Sequence, residues 1–193
     1  MLMTSKNPLK KSEEDVSCVT QIIKQTWAKD KPWLVVGTGP SLERWDASMM
    51  LDYNVWTING ALEKTRYADI AAFHDPTIYN EPYKYINGKY KARFILTRTC
   101  NKKIYDNTIF VQFKIDPNIG HYTFRTFNSS SFAFELLMNR FDQVYTLGID
   151  GGRELYQGLT EHYIRGEQGT DFNAHNQHMH ELKGRTNCQV IRL

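Results

Sequence analysis

Short unbroken apolar runs alternate along this chain with stretches in which apolar residues recur every three or four positions. The first run, Trp33-Leu34-Val35-Val36, contains no polar residue and ends in glycine, the pattern of a strand buried on both faces of a parallel sheet. Strand patterns are also predicted over 53–58, 69–73, 92–97, 108–113, 144–147 and 189–191. Ahead of the first strand, Ser12-Glu13-Glu14-Asp15 supplies a capping side chain and acids at a helix start. Val16, Val19, Ile22, Ile23 and Trp27 follow at helical spacing. Between the later strands, residues 132–140 carry the clearest helical pattern.

This alternation predicts an α/β fold, a mostly parallel sheet with helices on both faces. Ligands of such sheets bind outside the C-terminal ends of the strands, near the switch in strand order. The residues just past each predicted strand are therefore the first place to look for chemistry. They include Gly37, Thr38, Gly39, Pro40 and Ser41, then Asn59, then His74-Asp75-Pro76, then residues 98–101, and finally Gly148-Ile149-Asp150-Gly151-Gly152. A length of 193 residues suits one domain over 12–193 behind a frayed segment 1–11. Residues 151–170 are rich in glycine and polar residues, lack periodicity and exceed an ordinary connection, which reads as a lid over the site.

Charge and cysteine content narrow the partners. Lys plus Arg exceed Asp plus Glu by 24 to 21, a balance that suits small anionic ligands and falls short of the clustered basicity of a nucleic-acid binder. The 3 cysteines, Cys18, Cys100 and Cys188, are widely spaced, so neither a disulfide framework nor a zinc site is expected. No apolar stretch follows the basic residues near the start, and nowhere do about 18 apolar residues run together. A cytoplasmic protein with no signal peptide and no membrane span is the expectation.

The loop 37–41 lacks the Gly-Lys-Ser/Thr ending of a phosphate-binding Walker loop, and Leu42 stands where a dinucleotide fingerprint has its third glycine. What it keeps is a strand-to-helix turn in which Gly37 and Gly39 allow close backbone approach. Pro40 suits a first helical turn, and Ser41 can cap a helix or meet an anion. A tight turn that needs glycine for packing alone remains the other reading. Asn59 can serve a ribose or a pyrimidine edge, or simply form a turn with Gly60. Ser129 and Ser130 can bind an anion at a helix start or do no more than cap it.

Taken in order, GTGPSL after strand one, Asn59 in TING, FHDP after strand three, NSSSFAF at a helix start and VYTLGID resemble the bacterial lipooligosaccharide sialyltransferases. They also resemble the related 6-hydroxymethylpterin diphosphokinase-like proteins, and the similarity runs from about Trp33 to the C-terminus. The first resemblance implies a Rossmann-like nucleotide-binding domain, a CMP-sugar donor, no required metal and a homo-oligomer. It implies that residues 37–41 lie against the donor and that Asn59 contacts the nucleotide. Asp75 takes the place of a family amide. Ser129 and Ser130 would meet the phosphate, with Gly148 and Asp150 beside the ribose and base.

The family's lid carries a His-Tyr-Ile segment followed by a second histidine acting as general base. His162-Tyr163-Ile164 matches the first part, but Arg165-Gly166 stands in place of the rest. An arginine cannot accept a proton near neutrality, although it can steady a leaving phosphate. His162 can act as base or be a solvated loop residue, and Tyr156, Tyr163 and Arg165 can balance charge on the departing nucleotide.

Other clusters carry less. His175 and His178 share a helical face, but His180 lies about 140° around the helix from His175, so these residues read as a solvated helix face and not a metal site. Tyr79, Tyr83, Tyr85 and Tyr90 read as cover for a sheet edge.

The expected function is thus a nucleotide-sugar glycosyltransferase using a CMP-type donor and an acceptor the sequence does not name. A diphosphokinase moving pyrophosphate from ATP is the rival, with Mg²⁺ held by Asp75 and Asp150. A nucleotide-binding module without catalysis is the third reading.

Overall fold

The computed structural model describes residues 31–73, 91–97, 108–110, 129–151, 157 and 172–193. Among these residues, seven strands form one sheet: β1 (Trp33–Val36), β2 (Asn54–Ile58), β3 (Tyr67–Phe73), β4 (Lys91–Thr97), β5 (Thr108–Phe110), β6 (Gln143–Leu147) and β7 (Gln189–Arg192). Their order is β5-β4-β3-β2-β1-β6-β7, and every neighbouring pair is parallel. The predicted strands are all present, shifted by a residue or two at their ends. Residues 111–113 of the fifth prediction lie outside the described residues.

The helical elements are short on one face and longer on the other. A 3₁₀ turn (Pro40–Arg44) and the helices α1 (Met49–Asp52) and α2 (Ala61–Thr65) follow β1 and β2, while α3 (Ser129–Met138) precedes β6 and α4 (Phe172–Arg185) precedes β7. Alternate strand residues feed separate cores. Trp33, Val35, Trp56, Ile58 and Val144 pack with α3 and with Leu182 of α4. Leu34, Val36, Val55 and Leu147 pack on the opposite face with Leu42, Ala61 and Leu62. The side-chain period of two along each strand produces this division, and it accounts for the unbroken apolar runs: both faces are covered.

Strand order fixes where a ligand can bind. The chain moves outward from β1 through β2, β3 and β4 to β5, then returns to place β6 on the other side of β1. The switch therefore falls between β1 and β6, whose residues Val36 and Leu147 are register partners, so both strands end at the same level. Because α3 ends beside the start of β6, with the Phe141 N–H donating to the Leu137 carbonyl just before that strand begins, its N-terminus points toward the C-terminal edge of the sheet.

An aromatic series holds that helix start in place. Trp33 and Trp56 meet edge to face at 6.1 Å and 67°, and Trp56 meets Phe132 at 6.1 Å and 70°. Phe132 lies three residues after Ser129 and is buried. Contacts of this kind contribute about 0.5–1.5 kcal/mol each beyond area burial, and they set the first turn of α3 over β2.

Candidate functional site

The loops leaving β1 and β6 do not splay apart; they stay joined beyond the strand ends. Gly37 N–H donates to the Leu147 carbonyl at 2.8 Å, and Gly39 N–H donates to the Gly148 carbonyl at 2.8 Å. One step further, Ser41 N–H donates to Asp150 Oδ2 at 2.9 Å, while Ser41 Oγ accepts the Gly148 N–H at 2.7 Å. Four bonds thus tie the loop 37–41 to Leu147, Gly148 and Asp150.

This interlock gives the glycines a packing reason. A Cβ on Gly37 would stand 2.5 Å from the Gly148 carbonyl oxygen and against Ile149, and one on Gly39 would stand 2.9 Å from the same oxygen and against the Asp150 carboxylate. Gly148 itself has φ +68° and lies against Gly37 and Leu42. The chains approach as closely as backbone allows, and only glycine permits it.

The amides of the loop are also committed. Those of Gly37, Gly39 and Ser41 donate across to the β6 loop, Leu42 N–H donates to the Gly39 carbonyl at 3.0 Å, and Pro40 has no N–H. The Asp150 carboxylate thus takes the place at the start of the turn Pro40–Arg44 where an external anion was expected. The loop can border a ligand by its shape and by the side chains of Thr38 and Ser41, but its alternate backbone donors are already used. The first turn of α3, a longer helix, begins at Ser129 and Ser130 toward the same edge.

Asn59 closes β2 at the same edge. It has φ +49°, a left-handed conformation that asparagine tolerates better than most residues, and its N–H donates to the Ala72 carbonyl of β3 at 2.8 Å. Gly148 and Asp150 follow β6, and Ser130 is half-buried at the head of α3. The fold thus gathers Gly37, Thr38, Gly39, Pro40, Ser41, Asn59, Ser129, Ser130, Gly148 and Asp150 at the C-terminal edge of the sheet.

Asp75, Tyr156, His162, Tyr163 and Arg165 lie outside the described residues, as do the segment 1–11, the predicted helix at 12–27 and all of the lid segment except Gly151 and Gln157. The histidine-bearing stretch falls on α4, where His180 is exposed and Gln177 Nε2 donates to Glu181 Oε1 at 3.1 Å. Cys188 is a buried free thiol whose pKa is raised by burial and by Asp142. The link between Ser41 and Asp150 was not foreseen from sequence. The partners lie 109 positions apart, and no local pattern announces them.

The architecture matches solved structures of a known enzyme. The fold is similar to that of the sialyltransferase CstII. One match is CstII from Campylobacter jejuni in complex with the substrate analogue CMP-3FNeuAc, at a TM-score of 0.54 and 16% identity over 84% of this chain and 81% of that chain. Another is CST-II in complex with a trisaccharide acceptor and CMP, at a TM-score of 0.55 and 15% identity over the same 84% and 81%. No family model matches the chain, and no curated protein matches it in sequence. The shared fold agrees with the first of the two resemblances in the motifs; neither structure bears on the diphosphokinase one. Among the described residues, no helix is long and apolar enough to cross a membrane.

Proposed function

We propose that this protein is a nucleotide-sugar glycosyltransferase of the sialyltransferase type, taking its sugar from a CMP-linked donor. The observation that carries the reading is the convergence of the β1 loop, Asn59, the head of α3 and the β6 loop at the switch point, on a fold similar to an enzyme solved with CMP and with a CMP-sugar analogue. The donor lies against residues 37–41, Asn59 contacts the nucleotide, and Gly148 and Asp150 border the ribose and base. The phosphate is held without metal by Ser129, Ser130 and the α3 start, since hydroxyls and N–H groups at a helix N-terminus suffice for one anion.

His162 serves as general base toward the acceptor hydroxyl, and Tyr163 and Arg165 balance charge on the departing CMP. Asp75 completes the nucleotide side of the site, and the active form is a homo-oligomer. Thermal unfolding with CMP, CDP, UDP, GDP and ATP, each with Mg²⁺ and with EDTA, tests the reading. CMP is expected to stabilise in both conditions, by about 2.7 kcal/mol at a hundred times its dissociation constant. Stabilisation by ATP alone, and only with Mg²⁺, would replace this reading with a diphosphokinase. A CMP response without sugar transfer to any acceptor would reduce it to a binding module.

A further inference from the structure

A cleft of about 280 Å³ lies on the α3 and α4 side of the sheet and abuts the β6 loop, whose Ile149 and Gly151 form one edge of it. Thr146 and Arg192, register partners on β6 and β7, form its sheet wall, and His180 and Lys183 of α4 form the opposite one. Phe134 and Met179 supply apolar surface between them. Two side chains with permanent positive charge and one histidine therefore line a single small space, and none of its described lining residues is acidic. All three are exposed, and a cleft lined by cationic side chains with no described acid suits an anion.

The geometry points to a binding site for a phosphomonoester on a small scaffold. A phosphomonoester is close to a dianion at neutral pH, so Lys183 and Arg192 balance it. The guanidinium can donate a paired fork to two phosphate oxygens and the ammonium can act as a point charge, while Thr146 and His180 add polar contacts. The volume, about 280 Å³, lies just below the range of drug-sized sites, which run from about 300 to 1,000 Å³, and suits a sugar-sized group better than a whole nucleotide sugar. Sequence patterning offered a faint sign of it: His180 and Lys183 are three apart on one helix face, and Arg192 alternates with Val190 on a strand. The cationic residues lie outside the set 37–41, 59, 129–130, 148 and 150, although the cleft adjoins the β6 loop through Ile149 and Gly151, so the test must separate the two ligands.

Ligand-observed NMR on the full chain tests it, with glucose 6-phosphate, inorganic phosphate, glucuronate and glucose as probes. Glucose 6-phosphate is expected to bind, glucose not to, and glucuronate more weakly because it carries one charge. Inorganic phosphate should compete with glucose 6-phosphate. Lys183→Gln and Arg192→Gln should each weaken glucose 6-phosphate at least tenfold while leaving the CMP thermal response and the melting temperature of the free protein unchanged. Equal affinity for glucose and its phosphate would overturn the proposal, as would parental affinity in both variants or full displacement of glucose 6-phosphate by CMP. A parent protein that ignores CMP but binds glucose 6-phosphate in this residue-dependent way would sink the transferase reading and leave this one standing.

Discussion

Ser41 and Asp150 face each other across the switch point: the Ser41 N–H donates to the Asp150 carboxylate at 2.9 Å, and two residues away the Ser41 hydroxyl accepts the Gly148 N–H at 2.7 Å. The serine is both donor and acceptor to one short loop, so the β1 and β6 loops behave as one unit. Ser41→Ala keeps the backbone donor but leaves the buried Gly148 N–H without its acceptor. The expected cost is about 1–3 kcal/mol in urea unfolding, and Ser41→Thr should recover most of it because the hydroxyl is retained. Equal stability of all three proteins would show that the hydroxyl contact contributes nothing.

Two glycine substitutions should move stability in opposite directions. Gly37→Ala sets a methyl group 2.5 Å from the Gly148 carbonyl oxygen, backbone that cannot turn aside as a side chain can, and is expected to lose about 1–3 kcal/mol or more. Gly184 lies within α4, and a Cβ there would meet nothing within 4 Å. Gly184→Ala should therefore gain about 0.5–1 kcal/mol by raising helix propensity. Calorimetric melting of both variants beside the parent checks the signs, and a stabilised Gly37→Ala would contradict the interlock.

The inner strands β1 and β2 were legible in the sequence because every residue in them is buried, so each reads as a largely apolar run and not as an alternation. The ends of the strands were legible too, since Gly37, Asn59 and Gly148 stand where backbone must turn or approach closely. What the loop does with its amides was not. From sequence, Gly-Thr-Gly-Pro-Ser looks open to a phosphate, and only the parallel pairing of β1 with β6 brings Gly148 and Asp150 onto those donors. The cationic cleft escaped for the same reason: His180 and Lys183 need Arg192 from another element before they amount to more than solvated helix residues. Tertiary pairing supplies both, and neither is a property of a local window.

At the far end of the sheet, Asp69 ties β3 to β2. Its carboxylate accepts the Val55 N–H at 2.8 Å and the Tyr67 hydroxyl at 3.0 Å. Burial, and then the adjacent Asp69, pushes the Tyr67 pKa up to about 12. A phenol whose pKa in the folded state exceeds its unfolded value of about 10 holds its proton more tightly when folded, so its contribution is complete below pH about 10 and is lost as pH rises toward 12. Stability should fall across that window, and Tyr67→Phe should make the fall shallower. Tyr53, also raised by burial, remains in the variant and keeps some slope. Urea midpoints at intervals from pH 9 to 11.5 give the comparison, and identical slopes would exclude Tyr67 as a source.

Asn59 offers the sharpest separation between a turn residue and a ligand contact, because its backbone and its side chain can be changed independently. The backbone sits at φ +49° with its N–H on the Ala72 carbonyl, a conformation glycine adopts freely and alanine does not. Asn59→Ala removes the amide and strains the turn; Asn59→Gly removes the amide and relaxes it. If Asn59 only shapes the end of β2, glycine should match the parent in both stability and CMP affinity, and alanine should lose about 1–2 kcal/mol of stability. If its amide also meets the nucleotide, glycine should keep the parental melting temperature while weakening CMP by roughly 1–3 kcal/mol, about five- to more than a hundredfold in dissociation constant. The proposed function requires the second outcome. A glycine variant that binds CMP like the parent would remove Asn59 from the site and leave its left-handed turn as its whole role.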